Sequence, residues 1–161
     1  MLKKSITYKD YNGESRTEDF YFNLNETEAA RMDIITPGGM RDHMQRTVAS
    51  KDGEQIMKMF EDFISKSYGE KSPDGKYFYK SEEISKKFMC TEAYNVLVME
   101  LMKSPLVAGE FISAVLPFNS EQRKQFNEAV AETAAEIEKK NAEKSSEPAK
   151  IQPFVANNVE V

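Results

Sequence analysis

The sequence has little of the residues on which most protein chemistry depends. Its 161 residues include one cysteine, one histidine and no tryptophan. A single cysteine cannot form an intramolecular disulfide, and its scarcity suits a reducing compartment. We also expect no zinc site, because such sites are built from several histidine and cysteine ligands.

Long apolar runs and an excess of basic charge are missing as well. No stretch approaches the roughly 18 apolar residues of a membrane span. The start, MLKKSITYKDY, has no apolar stretch after its basic pair, which argues against a signal peptide. The net charge of −5 argues against a nucleic-acid partner, because phosphate contacts need clustered Lys and Arg. These absences indicate a soluble, acidic, intracellular protein without a membrane partner.

What is present is enough for one domain with its own core. The chain is 40% hydrophobic and 30% charged, which is typical of a globular protein with a solvated surface. The patterns predict a mainly α (α+β) fold in which an N-terminal β-hairpin packs on five to seven helices. The predicted units are a hairpin at 1–24, a helical core at 25–118 with a turn-rich loop at 66–81, a helix at 119–141 and a disordered tail at 142–161.

The N-terminal hairpin is predicted from two strand-like segments around Asn12-Gly13. A two-residue loop would place Ile6 opposite Asp19, whereas a three-residue loop with Gly13 left-handed gathers the apolar side chains on one face. Burial of a single face sets the register of a hairpin. We therefore predict the three-residue loop, with a shared face made of Leu2, Ile6, Tyr8, Phe20 and Phe22. This face is expected to pack on helices or to add to a partner's sheet.

Capping residues and apolar spacing predict the helices that follow. Asn23 or Asn25 caps the first, and TPGGM is expected to end it and start the second, with Thr36 as the cap and Pro37 at the first helical position. Met40, Met44 and Val48 recur every four residues in the second helix. Further caps are predicted at Asp52, Ser81, Thr91 and Ser120, and Ser104-Pro105 is expected to end one helix and begin the next.

Two later helices have informative apolar patterns. The segment EAYNVLVMELMK after Thr91 is apolar on nearly all sides, as expected of a central helix. In the last helix, the spacing of Phe126, Val130, Thr133 and Ile137 is similar to that of a coiled-coil seam but spans only about two heptads.

Candidates for catalysis are few. His43 is the only histidine, so a base–nucleophile pair would have to use it, and its position on a short helix indicates a surface or boundary side chain. Cys90 has no CxxC partner and is expected to be a buried structural thiol. The glycines of TPGGM lack the spacing of a phosphate-binding loop. We therefore predict no catalytic, cofactor-binding or metal-binding residue and no enzymatic activity.

The loop KSYGEKSPDGKYFYKS is instead predicted to be a rigid turn. Pro73-Asp74-Gly75 has turn chemistry at each position. Ser67-Tyr68 before the turn and Tyr77-Phe78-Tyr79 after it are expected to pair as a small hairpin, and the lysines of the loop are balanced by acidic residues. The nine methionines are mainly assigned to the core because they fall at helical spacing.

Aromatic and apolar residues outside the helical stripes are the candidate protein contacts. The terminal segment IQPFVANNVEV is either an untethered end or a peptide that docks on a partner. The residues proposed for contact are Tyr8, Phe20 and Phe22 of the hairpin, Tyr77 and Tyr79 of the loop, and Ile151, Phe154 and Val155 of the tail.

The order of these segments resembles a known family. The hairpin ITYKDYNGESRTEDFYFNL is followed by TPGGM, by SYGEKSPDGKYFYKSEEIS and TEAYNVLVMEL, and by FISAVLP. This order, over about residues 3–117, is similar to that of the tail assembly chaperones of long-tailed phages and prophages of Gram-positive bacteria.

The resemblance implies a non-enzymatic protein of the host cytoplasm. Such chaperones bind the long, helical tape measure protein, keep it soluble and recruit tail tube subunits to polymerise around it. They generally leave before the tail is complete. No cofactor is implied, the partners are proteins, and the chain itself could form a homo-oligomer. The alternatives are a permanent tail or connector subunit of the virion and a small phage-encoded regulatory or inhibitory protein.

Overall fold

The computed structural model describes residues 1–50 and 52–145, in which a four-stranded antiparallel sheet packs against seven helices. The strands follow one another across the sheet in chain order. They are β1 (Leu2–Lys9), β2 (Ser15–Phe22), β3 (Tyr68–Lys71) and β4 (Phe78–Tyr79). The helices are α1 (Glu26–Ile35), α2 (Met40–Ser50), α3 (Gly53–Ser67), α4 (Glu82–Met89), α5 (Glu92–Lys103), α6 (Pro105–Val115) and α7 (Ser120–Ser145). The predicted fold class, a hairpin on a helical bundle, is confirmed.

The N-terminal hairpin has the predicted register. Ile6 lies opposite Glu18, and the strands are joined by the three-residue loop in which Gly13 has a φ of 85°. The Gly13 N–H donates to the Asp10 carbonyl at 2.8 Å. Because side chains alternate along a strand, this register places the apolar residues of both strands on one face.

The loop between α3 and α4 completes the sheet. β3 and β4 form a small hairpin as predicted, but Glu70 and Lys71, rather than Ser67-Tyr68, lie opposite Tyr79 and Phe78. β3 also pairs with β2, with Tyr21 opposite Gly69. This second pairing joins residues far apart in the chain and was not predicted. It converts two hairpins into one sheet.

The core is organised around an aromatic cluster. Phe22 is fully buried, and its ring centroid lies 5.1 Å from that of Phe111, 5.6 Å from Tyr68 and 5.8 Å from Phe88. Phe88 also stacks on Tyr68 at 4.2 Å, and Phe20 packs against Phe88 at 5.0 Å. These rings come from the sheet, α4 and α6. Helices therefore cover the face of the hairpin that carries Phe20 and Phe22.

Four of the predicted helix caps are confirmed. The side chains of Asn25, Asp52, Ser81 and Thr91 each accept a backbone N–H in the first turn of α1, α3, α4 and α5. Asn25 forms a reciprocal capping box with Glu28.

TPGGM separates α1 from α2 as predicted, but the predicted start of α2, with Thr36 as the cap and Pro37 at the first helical position, is wrong. Thr36 ends α1 and donates its hydroxyl to the Met32 carbonyl at 2.6 Å. Gly38 and Gly39 have φ values of 80° and 83°, which are left-handed and incompatible with a helix that starts at Pro37. α2 begins at Met40, whose N–H donates to Asp33 Oδ1 of α1 at 2.8 Å.

The last helix also departs from its predicted limits. Its capping box is formed by Asn119 and Gln122 rather than by Ser120, with N–H to side-chain oxygen distances of 2.8 and 3.0 Å. α7 continues to Ser145, beyond the expected end at residue 141. The rest of the predicted tail lies outside the described residues.

Helix α5 is not enclosed on all sides. Ala93, Leu97 and Leu101 are buried, but 39% of Val96 and 56% of Met99 is exposed. α5 packs beside β1, which is an edge strand of the sheet. The far side of α5 therefore has no neighbour among the described residues.

Candidate protein-contact surfaces

The loop between α3 and α4 is tightly hydrogen-bonded. The Gly75 N–H donates to the Ser72 carbonyl at 2.9 Å, and the Ser72 N–H donates to the Tyr77 carbonyl at 2.9 Å. The Ser72 hydroxyl donates to Asp74 Oδ1 at 2.6 Å, and this bond, with the Lys76 N–H, lowers the pKa of the Asp74 carboxyl. The loop forms the turn that the sequence predicts, closed by hydrogen bonds between residues 72 and 77.

Tyr77 and Tyr79 project from this turn. They are 58% and 53% exposed, and their rings stack at 5.9 Å with an interplanar angle of 25°. The two rings form one aromatic surface on a hydrogen-bonded support. We call Tyr77 and Tyr79 the tyrosine pair.

The hairpin contributes less surface than expected. Phe20 is 9% exposed and Phe22 is fully buried, because both rings enter the aromatic cluster. They are core residues here, so we do not retain them as contact candidates. Tyr8 is half-buried and donates its hydroxyl to the Glu18 carboxylate, which raises the pKa of Tyr8. The tail candidates Ile151, Phe154 and Val155 lie outside the described residues.

Two apolar surfaces were missed by the sequence analysis. Ile34 and Ile35, at the end of α1, are 83% and 63% exposed, and Val96 and Met99 lie uncovered on α5. No local signal marks them, because apolar residues within a helical pattern are normally assigned to the core. Most methionines do contribute to the core, among them Met40, Met44 and Met59, and Met99 is an exception.

In the part of the chain that the structure describes, no group of three or more His, Cys, Asp or Glu side chains is placed so that it could hold a metal ion. His43 is exposed, as predicted. Cys90 is also exposed, which corrects the expectation of a buried thiol: the junction of α4 and α5 lies at the surface, where the Cys90 carbonyl accepts the Tyr11 hydroxyl at 3.0 Å. No helix within residues 1–50 and 52–145 is long and apolar enough to cross a membrane.

An apolar groove lies beneath α7. It is formed by α2, α3, α5 and α6 and is covered by Phe126, Ala129, Val130 and Thr133, leaving a cavity of about 130 Å³. Three of these residues, Phe126, Val130 and Thr133, belong to the seam-like spacing noted in the sequence of the last helix. α7 approaches α6 closely at Gly109, where an added Cβ would lie 2.5 Å from Val130 Cγ1. Gly109 thus sets the distance between the two helices.

These features define a small α+β protein whose exposed aromatic and apolar side chains suit contacts with other proteins. A family model described as phage tail assembly chaperone matches residues 1–158. The chain therefore belongs to the phage tail assembly chaperone family. No curated protein and no solved structure matches the chain.

Replacement of Gly109 by alanine should destabilise the protein. Alanine normally favours a helix over glycine by about 1 kcal/mol, but here the new methyl group would collide with Val130. Such overpacking costs about 1–3 kcal/mol, so we expect a lower free energy of unfolding in urea denaturation.

Two variants control for this effect. Gly53→Ala, at the start of α3 with open space around it, should be neutral or stabilising. Gly109→Ala combined with Val130→Ala should recover part of the loss. A Gly109→Ala protein that is as stable as Gly53→Ala would show that α7 does not pack on α6 at this point.

Proposed function

We propose that this chaperone binds the tape measure protein of a long-tailed phage or prophage of Gram-positive bacteria. It keeps that protein soluble in the host cytoplasm and recruits tail tube subunits around it, without catalysing a reaction. The observation that carries the proposal is the family match, which extends over residues 1–158 and so includes both the folded body and most of the tail.

The tyrosine pair is the first proposed contact for the tape measure protein. Tyrosine gives a large contact area at a low cost in conformational entropy and is enriched among the residues that dominate binding energy. Tyr77 and Tyr79 are already stacked and sit on a turn fixed by backbone hydrogen bonds. Little ordering is therefore required when a partner covers them.

The second proposed contact is the tail, through Ile151, Phe154 and Val155. These apolar residues follow a segment rich in Ser, Glu and Lys. A short apolar segment beside a polar one is typical of a peptide that docks on a partner.

Loss of the tyrosine pair should weaken tape measure binding. We expect Tyr77→Ser combined with Tyr79→Ser to raise the dissociation constant at least tenfold, since each aromatic contact contributes on the order of 1–2 kcal/mol. Co-purification with co-expressed tape measure protein, followed by calorimetry, measures this change. Tyr11→Ser removes a tyrosine that is 76% exposed on the hairpin and serves as the matched control. Equal binding by the double variant and the control would remove the tyrosine pair from the contact surface.

The tail contact is tested separately. Phe154→Ala combined with Val155→Ala should reduce the amount of tape measure protein recovered, because the docking side chains are lost. Asn157→Ala combined with Asn158→Ala, in the same segment, should have no effect. Unchanged recovery with the Phe154 and Val155 variant would show that the tail assignment is wrong.

An assembly chaperone should be absent from the finished particle. Mass spectrometry of purified virions should therefore detect tail tube and tape measure peptides but none from this chain. If this chain were found in purified virions in stoichiometric amounts, the result would favour its being a structural tail or connector subunit instead.

A further inference from the structure

The outer side of β1 presents an unpaired strand edge. Asp10 donates its N–H to the Glu14 carbonyl at 2.9 Å, and hydrogen-bonded residues alternate in an antiparallel pair. The even-numbered residues of β1 therefore bond to β2. The backbone groups of Lys3, Ser5, Thr7 and Lys9 point away from the sheet, and we call this row the β1 edge. No described residue donates to it or accepts from it.

Two lysines that could protect the β1 edge from pairing with another strand form ion pairs within the molecule instead. Exposed strand edges are commonly protected from pairing by lysine side chains. Here Lys3 Nζ lies 2.8 Å from Asp19 Oδ2 of β2, and Lys4 Nζ lies 2.9 Å from Glu100 Oε1 of α5. Both ammonium groups are directed to partners within the same molecule, so the central part of the β1 edge is open to another strand.

An exposed apolar surface accompanies this edge. Glu100, which contacts Lys4 of β1, lies one helical turn after Val96 on the same side of α5. Val96 and Met99 are 39% and 56% exposed, although the opposite side of α5 is buried against the core through Ala93, Leu97 and Leu101. The strand edge and the Val96–Met99 surface thus lie at the same border of the molecule.

We propose that this border is the interface of a homodimer with two-fold symmetry. The axis is perpendicular to the sheet at Ser5, so that β1 pairs antiparallel with β1 of a second copy and the two sheets become one of eight strands. Paired strands lie about 4.8 Å apart. Because helices of both copies then cover the same face, each α5 places Val96 and Met99 against those of the other.

Symmetry and charge both favour a second copy as the occupant. A two-fold axis brings each surface against its own counterpart, so the unpaired edge and the apolar surface are satisfied together. With the axis at Ser5, Lys3 lies opposite Thr7 of the other copy. Moving the axis from Ser5 to Ile6, which shifts the pairing of the two strands by two residues, would place Lys3 opposite Lys9, and directly opposed like charges are destabilising.

The oligomeric state of the full chain tests this proposal. Sedimentation equilibrium should give twice the chain mass, and Met99→Glu should raise the dimer dissociation constant at least tenfold by placing two carboxylates at the axis. Ile34→Glu makes the same change at a residue that is 83% exposed on α1 and should leave the dimer intact. A monomeric wild-type protein, or a dimer equally sensitive to both changes, would overturn the proposal.

Ser5→Pro tests the strand pairing itself. Proline removes an N–H that points outward, and edge strands tolerate proline at such positions, so the circular dichroism spectrum should be retained while the dimer is lost. If this substitution unfolds the chain, cysteine cross-linking in a Cys90→Ser background replaces it. Ser5→Cys should form an intermolecular disulfide and Thr7→Cys should not. The reverse result would overturn the Ser5-centred register.

The dimer and the proposed function can fail separately. A monomeric wild-type protein that still binds the tape measure protein overturns the dimer alone. A dimer of the expected register that does not bind it supports the interface and leaves it independent of the chaperone role.

Discussion

The packing of Phe22 against rings from β3, α4 and α6 is the interaction on which the rest of the structure depends. Phe22 is fully buried, and its neighbours Tyr68, Phe88 and Phe111 come from three separate parts of the chain. A two-stranded hairpin is only marginally stable alone, so this cluster is what holds the hairpin in place. Because strand side chains alternate, burying Phe20 and Phe22 also determines which residues of β1 and β2 face the solvent.

The exposed surfaces follow from where this sheet ends. The tyrosine pair, made of Tyr79 in β4 and Tyr77 just before it, lies at one edge of the sheet, and β1 is the strand at the other edge. The loop that supports the tyrosines is tied to the body through Lys80, whose ammonium group donates to the Asn23 carbonyl at 3.1 Å and pairs with Glu28 of α1. A chaperone that binds other proteins needs surfaces that stay accessible without unfolding. Both borders of the sheet meet this requirement because the aromatic cluster anchors the strands between them.

The helical half of the protein is arranged around small side chains and methionines. Gly109 allows α7 to approach α6, and Met44, Met59 and Met102 line the groove below. Methionine fills irregular spaces because its side chain is unbranched and flexible. This composition tolerates a remaining cavity of about 130 Å³.

The sequence by itself determined the features that depend on neighbouring residues. The hairpin turn at Gly13, the caps at Asn25, Asp52, Ser81 and Thr91, and the turn that carries the tyrosine pair all follow from short-range hydrogen bonds and backbone preferences. Such interactions are complete within a few residues, so their signals are present in the local pattern.

Only the tertiary structure decided which of these elements cover one another. Contacts between residues from different elements decided the pairing of β3 with β2 and the capping of α2 by Asp33. The exposure of Cys90 likewise depends on which elements pack around it. Parity placed Phe20 and Phe22 on one face of the hairpin, which was expected to pack on helices or to add to a partner's sheet, and the structure shows that helices bury it. The apolar pattern on nearly all sides of α5 predicted that the helix is buried all round. Val96 and Met99 are exposed instead, because α5 lies beside β1 at the edge of the sheet. Exposure depends on long-range packing, which a local pattern does not encode.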